Sequence, residues 1–152
     1  MSPAQCVRFY SAPELRHTHL LFLVPLGAAS IDLSKARRIK DVVFRPGSQN
    51  VEWITMALQT IVPEHRDFRQ ITIRVSYYLT LFEINGNGRR VIGEAIYRQW
   101  SVLDRLLVQL WDSRSIRPRV VCTKPGGKVQ NAETRVGCLL PEMARRGMVV
   151  PD

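Results

Sequence analysis

Residues 38–75 read RIKDVVFRPGSQNVEWITMALQTIVPEHRDFRQITIRV, and the reading of this stretch decides the fold. An apolar triplet, Ile39, Val42 and Phe44, opens it, and Phe68, Ile71 and Ile73 repeat the same spacing 29 residues later. Between the triplets lies a helical pattern with a start and a stop. Asn50 is the expected N-cap, and Glu52 falls in the first turn, where the positive end of the helix dipole favours an acid. Val51, Ile54, Ala57, Leu58 and Ile61 recur at helical spacing and define one buried stripe. Pro63 is expected to end the helix. Trp53 and Met56 flank the stripe and are read as packing residues. Two like strands joined by one helix predict parallel pairing, with Val42 beside Ile71, Phe44 beside Ile73 and the helix across their backs.

The same unit extends in both directions. Residues 20–24 form an apolar run ended by Pro25 and Gly27, which suits a strand buried on both faces. This run lies 22 residues before the first triplet, pairing Leu20 with Val42 and Phe22 with Phe44, although His17 falls where Ile39 would stand. Ile31 and Leu33 belong to the short outer connection. On the other side, Val120, Val121 and Cys122 read as a third strand of the kind, 49 residues after the second, pairing Ile71 with Val120 and Ile73 with Cys122. Residues 77–84 read either as an extension of the second strand or as a partly helical loop, and Asn85-Gly86-Asn87-Gly88 marks a turn. Ile92, Ile96, Trp100, Leu103, Leu107 and Leu110 then keep a helical period. Ser101 and Asp104 resemble a capping box that would divide this segment into two helices near Trp100. Arg98, Arg105 and Asp112 would face solvent. Cys138, Leu139, Leu140 and Met143 predict a short last helix ending near Gly147.

A period of this size, with one strand and one helix per unit, is the pattern of leucine-rich-repeat stacks. The expected fold class is therefore α/β: a short leucine-rich-repeat-like stack of parallel strands with helices on the convex side. A two-layer α/β sandwich of the same elements is the alternative. Residues 1–18, broken by Pro3 and Pro13, are expected to be irregular, and residues 19–152 to form a single repeat-type domain.

Composition narrows the function less than the fold. Lys and Arg number 22 against 13 Asp and Glu, a net charge of +9 that favours acidic partners. The basic residues are dispersed, clustering only in pairs. Cys6, Cys122 and Cys138 show neither a disulfide framework nor zinc-ligand spacing, which fits reduced thiols in a cytoplasmic or nuclear protein. The run ended by Pro25 is too short to span a bilayer, so no membrane association is expected.

No catalytic constellation emerges. His17 and His19 alternate as a strand metal pair would, but no third ligand accompanies them, and with His65 they read as surface histidines. The Asn85–Arg90 segment lacks the third glycine of a dinucleotide fingerprint, and residues 124–128 lack the Walker spacing. A G-x-S-x-G motif is absent. The chain is expected to be non-enzymatic, with no cofactor and no metal.

Strand parity gives the candidate site. If Val42, Phe44, Ile71, Ile73, Val120 and Cys122 face the core, the alternate residues share the other face. The expected columns are Asp41, Gln70 and Arg119; Val43, Thr72 and Val121; and Arg45, Arg74 and Thr123. Adjacent guanidiniums at Arg45 and Arg74 repel unless an acidic group bridges them, so an acidic protein or peptide surface is the expected partner. A basic nucleic-acid-binding module is the second reading, although no aromatic stacking pattern or basic helix supports it.

The runs WITMALQTI (residues 53–61), IGEAIYRQW (92–100) and LDRLLVQLWDSRSIRPRV (103–120) resemble the C-terminal part of a group of fungal leucine-rich-repeat-like proteins, some with an F-box at the N-terminus. The resemblance covers about the last two-thirds of the chain. It implies a curved array of strand–helix repeats that recognises another protein, which F-box members deliver to a ubiquitin ligase. No F-box-like helical segment precedes the repeats in this sequence, so a truncated member or a partial gene model is expected, without a ubiquitin-ligase adaptor as partner.

Overall fold

Alternate residues of the central strands are apolar and fully buried, and this alternation lays down the architecture. The computed structural model describes residues 7–11, 18–23, 31–34, 36, 38–46, 50–76, 83–84, 90–91, 93–123 and 132–151. In chain order these form β1 (Val7–Ser11), β2 (Thr18–Leu23), β3 (Ile39–Arg45), α1 (Glu52–Leu58), β4 (Gln70–Ser76), β5 (Glu83–Ile84), β6 (Arg90–Val91), α2 (Glu94–Arg114), β7 (Arg117–Thr123), α3 (Ala132–Leu139), α4 (Pro141–Arg145) and β8 (Val149–Pro151). One sheet runs in the order β1-β2-β3-β4-β7-β8, and β5 and β6 pair separately. β1 is antiparallel to β2, whereas each neighbouring pair from β2 to β8 is parallel. The molecule is thus an α/β fold with a parallel sheet, to which each successive strand of the main sheet adds at the same edge.

Two expectations about the ends need correction. Residues 1–18 are not wholly irregular, because Val7–Ser11 pairs along β2 from Val7 beside Phe22 to Ser11 beside Thr18. At the other end the last helix is two short helices followed by a strand, so β8 forms that edge of the sheet.

The repeat predicts the register of the first three parallel strands. Leu20 lies beside Val42 and Phe22 beside Phe44, then Val42 beside Ile71 and Phe44 beside Ile73. Ile39 and Val42 are both buried although three positions apart, which simple alternation forbids. A bulge resolves this: the register with β2 shifts between Thr18 and His19, leaving Lys40 as the extra residue. In β7 the register differs from expectation by two residues. Ile71 lies beside Pro118 and Ile73 beside Val120. Pro118 is tolerated there because β8 pairs only with Val120, Val121 and Cys122, so no neighbour on that side needs its missing N–H.

One apolar cluster joins Val42, Phe44, Ile71, Ile73, Val75, Val120 and Cys122 to the buried residues of all four helices, so those helices cover the same face of the sheet. The predicted α1 stripe is the buried one, with Ile61 half-buried at its end. Trp53 packs edge-on against Phe44 at 5.7 Å, whereas Met56 is exposed. The helix stops at Leu58, before Pro63: the Thr60 hydroxyl donates to the Ala57 carbonyl (2.6 Å) and accepts from the Leu33 amide (2.7 Å). His65 is buried rather than superficial. Its Nε2 meets the Leu33 carbonyl at 2.8 Å and its Nδ1 accepts from the Val62 amide at 3.0 Å, so Leu33 is held from both sides.

α2 is one continuous helix through Trp100 rather than two. Asp104 caps no turn of its own helix. Its buried carboxylate accepts from the Glu142 and Met143 amides, each at 3.0 Å, and so caps α4 from outside. Gln99, on the same helix, accepts from the Val51 amide at 3.2 Å where α1 begins. Asn50 contributes to that start as expected, accepting from the Glu52 amide at 3.1 Å. Arg146 holds Asp112 through two bonds of 2.8 and 3.0 Å across to α2. That hydrogen bond keeps the Asp112 carboxyl below its ordinary pKa. A depressed carboxylate stabilises above its unfolded pKa, so this exposed contact fades as pH falls through the acid range. The left-handed turn after α4 falls to Gly147 (φ 72), but the one after α2 falls to Ser115 (φ 54).

Two outcomes follow for chemical denaturation. Asp104→Ala, which orphans two amides, is expected to cost about 2–4 kcal/mol, and Asp104→Asn less. Ser115→Gly relieves the left-handed strain and is expected to add about 0.5–1 kcal/mol.

Candidate functional site

The face of the sheet turned away from the four helices carries the predicted site. By parity, β3 contributes Asp41, Val43 and Arg45, β4 contributes Gln70, Thr72 and Arg74, and β7 contributes Arg119 and Val121, with Thr123 at its end. The two-residue shift of β7 changes the columns but not the face, since an even shift preserves parity. Asp41 and Gln70 align with Arg117, not Arg119. Val43 and Thr72 align with Arg119, not Val121. Arg74 lies beside Val121, and Thr123 lies beside Ser76 rather than in the arginine row.

β3 and β4 keep the expected register, with Asp41 beside Gln70 and Val43 beside Thr72. Arg45 and Arg74 each follow the Phe44–Ile73 pair by one residue, on strands about 4.8 Å apart. Arg45 is exposed and Arg74 half-buried, while Arg119 is exposed on the next strand, diagonal to Arg74. Arg117 reaches the rim, its guanidinium 6.0 Å from the Trp111 ring centroid. Among the described residues of β3, β4 and β7 on this face, Asp41 is the only acid. Val43 and Thr72 are half-buried, giving the arginines a semi-apolar floor.

Val121 departs from an open face. It is 2% exposed yet lies outside the main core cluster, so this corner is closed. In register it stands between Arg74 and Val150. The usable part of the face therefore centres on Arg45, Arg74, Thr72 and Arg119, with Val121 as a packed boundary.

Sequence reading missed Asp104 and His65. Asp104 had a visible signal: it lies four residues after Trp100, within the apolar stripe of α2, and an acid on a buried stripe needs donors from elsewhere. His65 had no comparable signal. Among the described residues no group of three or more His, Cys, Asp or Glu could hold a metal ion. His17, the turn at residues 85–88 and the Lys124–Lys128 loop lie outside the described residues, although β5 and β6 pair antiparallel on either side of that turn. No described helix is long and apolar enough to cross a membrane. No family model, curated protein or solved structure matches this chain.

Proposed function

We propose that this chain is a non-enzymatic protein–protein recognition module that takes an acidic peptide or protein surface on the sheet face turned away from its four described helices. The observation that carries the reading is the placement of Arg45 and Arg74 on neighbouring strands of that face, with Arg119 diagonal to them. Arginine suits such a partner, because a guanidinium can donate a charge-assisted, geometrically matched pair of bonds to a carboxylate. The net charge of +9 adds a longer-range attraction for the same kind of partner.

The finer reading is a short leucine-rich-repeat-like stack, the substrate-recognition end of an F-box-like protein. It is supported by the in-register 29-residue repeat and by the resemblance of residues 53–61, 92–100 and 103–120 to that fungal group. Nucleic-acid binding is the reading the experiment must separate from it.

A fluorescent oligoglutamate peptide and a single-stranded oligonucleotide provide the two arms. The peptide is expected to bind the wild-type chain at low salt and to lose at least tenfold in affinity with Arg45→Glu, Arg74→Glu. Arg119→Glu, at an exposed position, should produce a smaller loss with the fold unchanged by circular dichroism. Unchanged peptide affinity in both variants would remove this face as the site. Tighter binding of the oligonucleotide with a steep salt dependence would favour the nucleic-acid reading.

A further inference from the structure

On the sheet face turned away from the four helices, Arg45 and Arg119 are exposed, and neither makes an ion pair or a side-chain hydrogen bond among the described residues. The cations near them are committed. Arg74 is half-buried and already engaged, and the Arg117 guanidinium lies at the rim, 6.0 Å from the Trp111 ring centroid. The unengaged charge of this face therefore sits on β3 and β7, with β4 between them.

The strand register gives the separation of the two. Arg45 and Arg74 follow the Phe44–Ile73 pair by one residue, and Arg74 lies beside Val121, two residues beyond Arg119. Two strand spacings of about 4.8 Å and an offset of about 6.6 Å along the strand put the two backbone positions about 12 Å apart. Strand side chains stand roughly perpendicular to the sheet, so these charges project side by side rather than towards one point. A single carboxylate matches one guanidinium, and engaging both takes two acids. In an extended chain, acids four positions apart span about 13 Å and share one side.

We propose that the partner is an extended protein segment with two acidic side chains about four residues apart, laid across β3, β4 and β7 so that one pairs with Arg45 and the other with Arg119. This rests on the reading of the face as a site for an acidic partner. Val43 and Thr72, neutral and half-buried, form the surface between the two arginines, so the intervening residues need carry no charge. A nucleic-acid strand is the poorer fit. Among the described positions of β3, β4 and β7 on this face, no aromatic ring offers a base a stacking surface.

The probes are end-blocked Gly/Ser peptides carrying one Asp, two adjacent Asp, or two Asp four positions apart, titrated at low salt and read through the arginine Nε–H resonances. The spaced peptide is expected to shift Arg45 and Arg119 together and to bind about tenfold more tightly than the single-Asp peptide, since its second contact forms within the complex. Two adjacent Asp should gain far less. Arg45→Gln and Arg119→Gln, both at exposed positions, should each reduce the spaced peptide to the affinity of the single-Asp peptide. Equal affinities of the spaced and adjacent peptides, or a preference that survives both variants, would overturn this inference and leave the acidic site in place. No shift at these arginines with any of the peptides or with oligoglutamate would remove both. A single-stranded oligonucleotide that shifts both arginines at lower concentration than the spaced peptide would overturn it in favour of nucleic acid.

Discussion

Two side chains of one helix hold the starts of two others, and the helical layer depends on that arrangement. α1 has seven residues and α4 five, lengths at which a helix in water does not sustain itself. Neither N-cap residue, Val51 or Leu140, supplies a side-chain cap. The free amides at a helix start must nevertheless find acceptors once buried. Gln99 supplies one at Val51, and Asp104 supplies two at Glu142 and Met143. Five residues apart on α2, these acceptors fix where α1 and α4 begin, while Trp100, Leu103 and Leu107 beneath them fix depth in the core. Burial alone is non-directional. The caps convert an apolar layer into one with defined helix positions.

How much of this was legible follows from the range of the interactions. The 29-residue repeat predicts the β3–β4 register because both strands carry the same apolar triplet and nothing interrupts the unit between them. The β7 register escaped because apolar matching assigned Val120 to Ile71, whereas a buried proline occupies that place. Proline reads as a strand breaker, and only the short reach of β8 makes it acceptable. That reach is a property of the far end of the chain. Asp104 belongs to the same class of miss: its partners lie 38 and 39 residues away, so a local capping box was the nearest available explanation and the wrong one.

The candidate face was legible for a different reason. Parity needs no knowledge of register, and a shift of two leaves every side chain on its face. Arg45, Arg74 and Arg119 therefore share a surface under the expected and the observed pairing alike. What parity could not convey is which positions remain accessible. Val121 has the right parity and is buried all the same, which confines the arginine surface to the β3–β4 side of that corner.

The two faces of the sheet thus answer to different demands. On the helix side every column is apolar, and its burial, at about 25 cal/mol per Å², is the main term favouring the fold. On the other side the repeat unit places arginine beside arginine at Arg45 and Arg74, with Asp41 as the one acid among the described positions of β3, β4 and β7. Because the apolar columns set the register, the β3–β4 pairing is held against slipping, since a slip of one residue would turn an apolar column away from the core. The rigidity that the core imposes is what fixes Arg45 and Arg74 at equivalent positions on neighbouring strands.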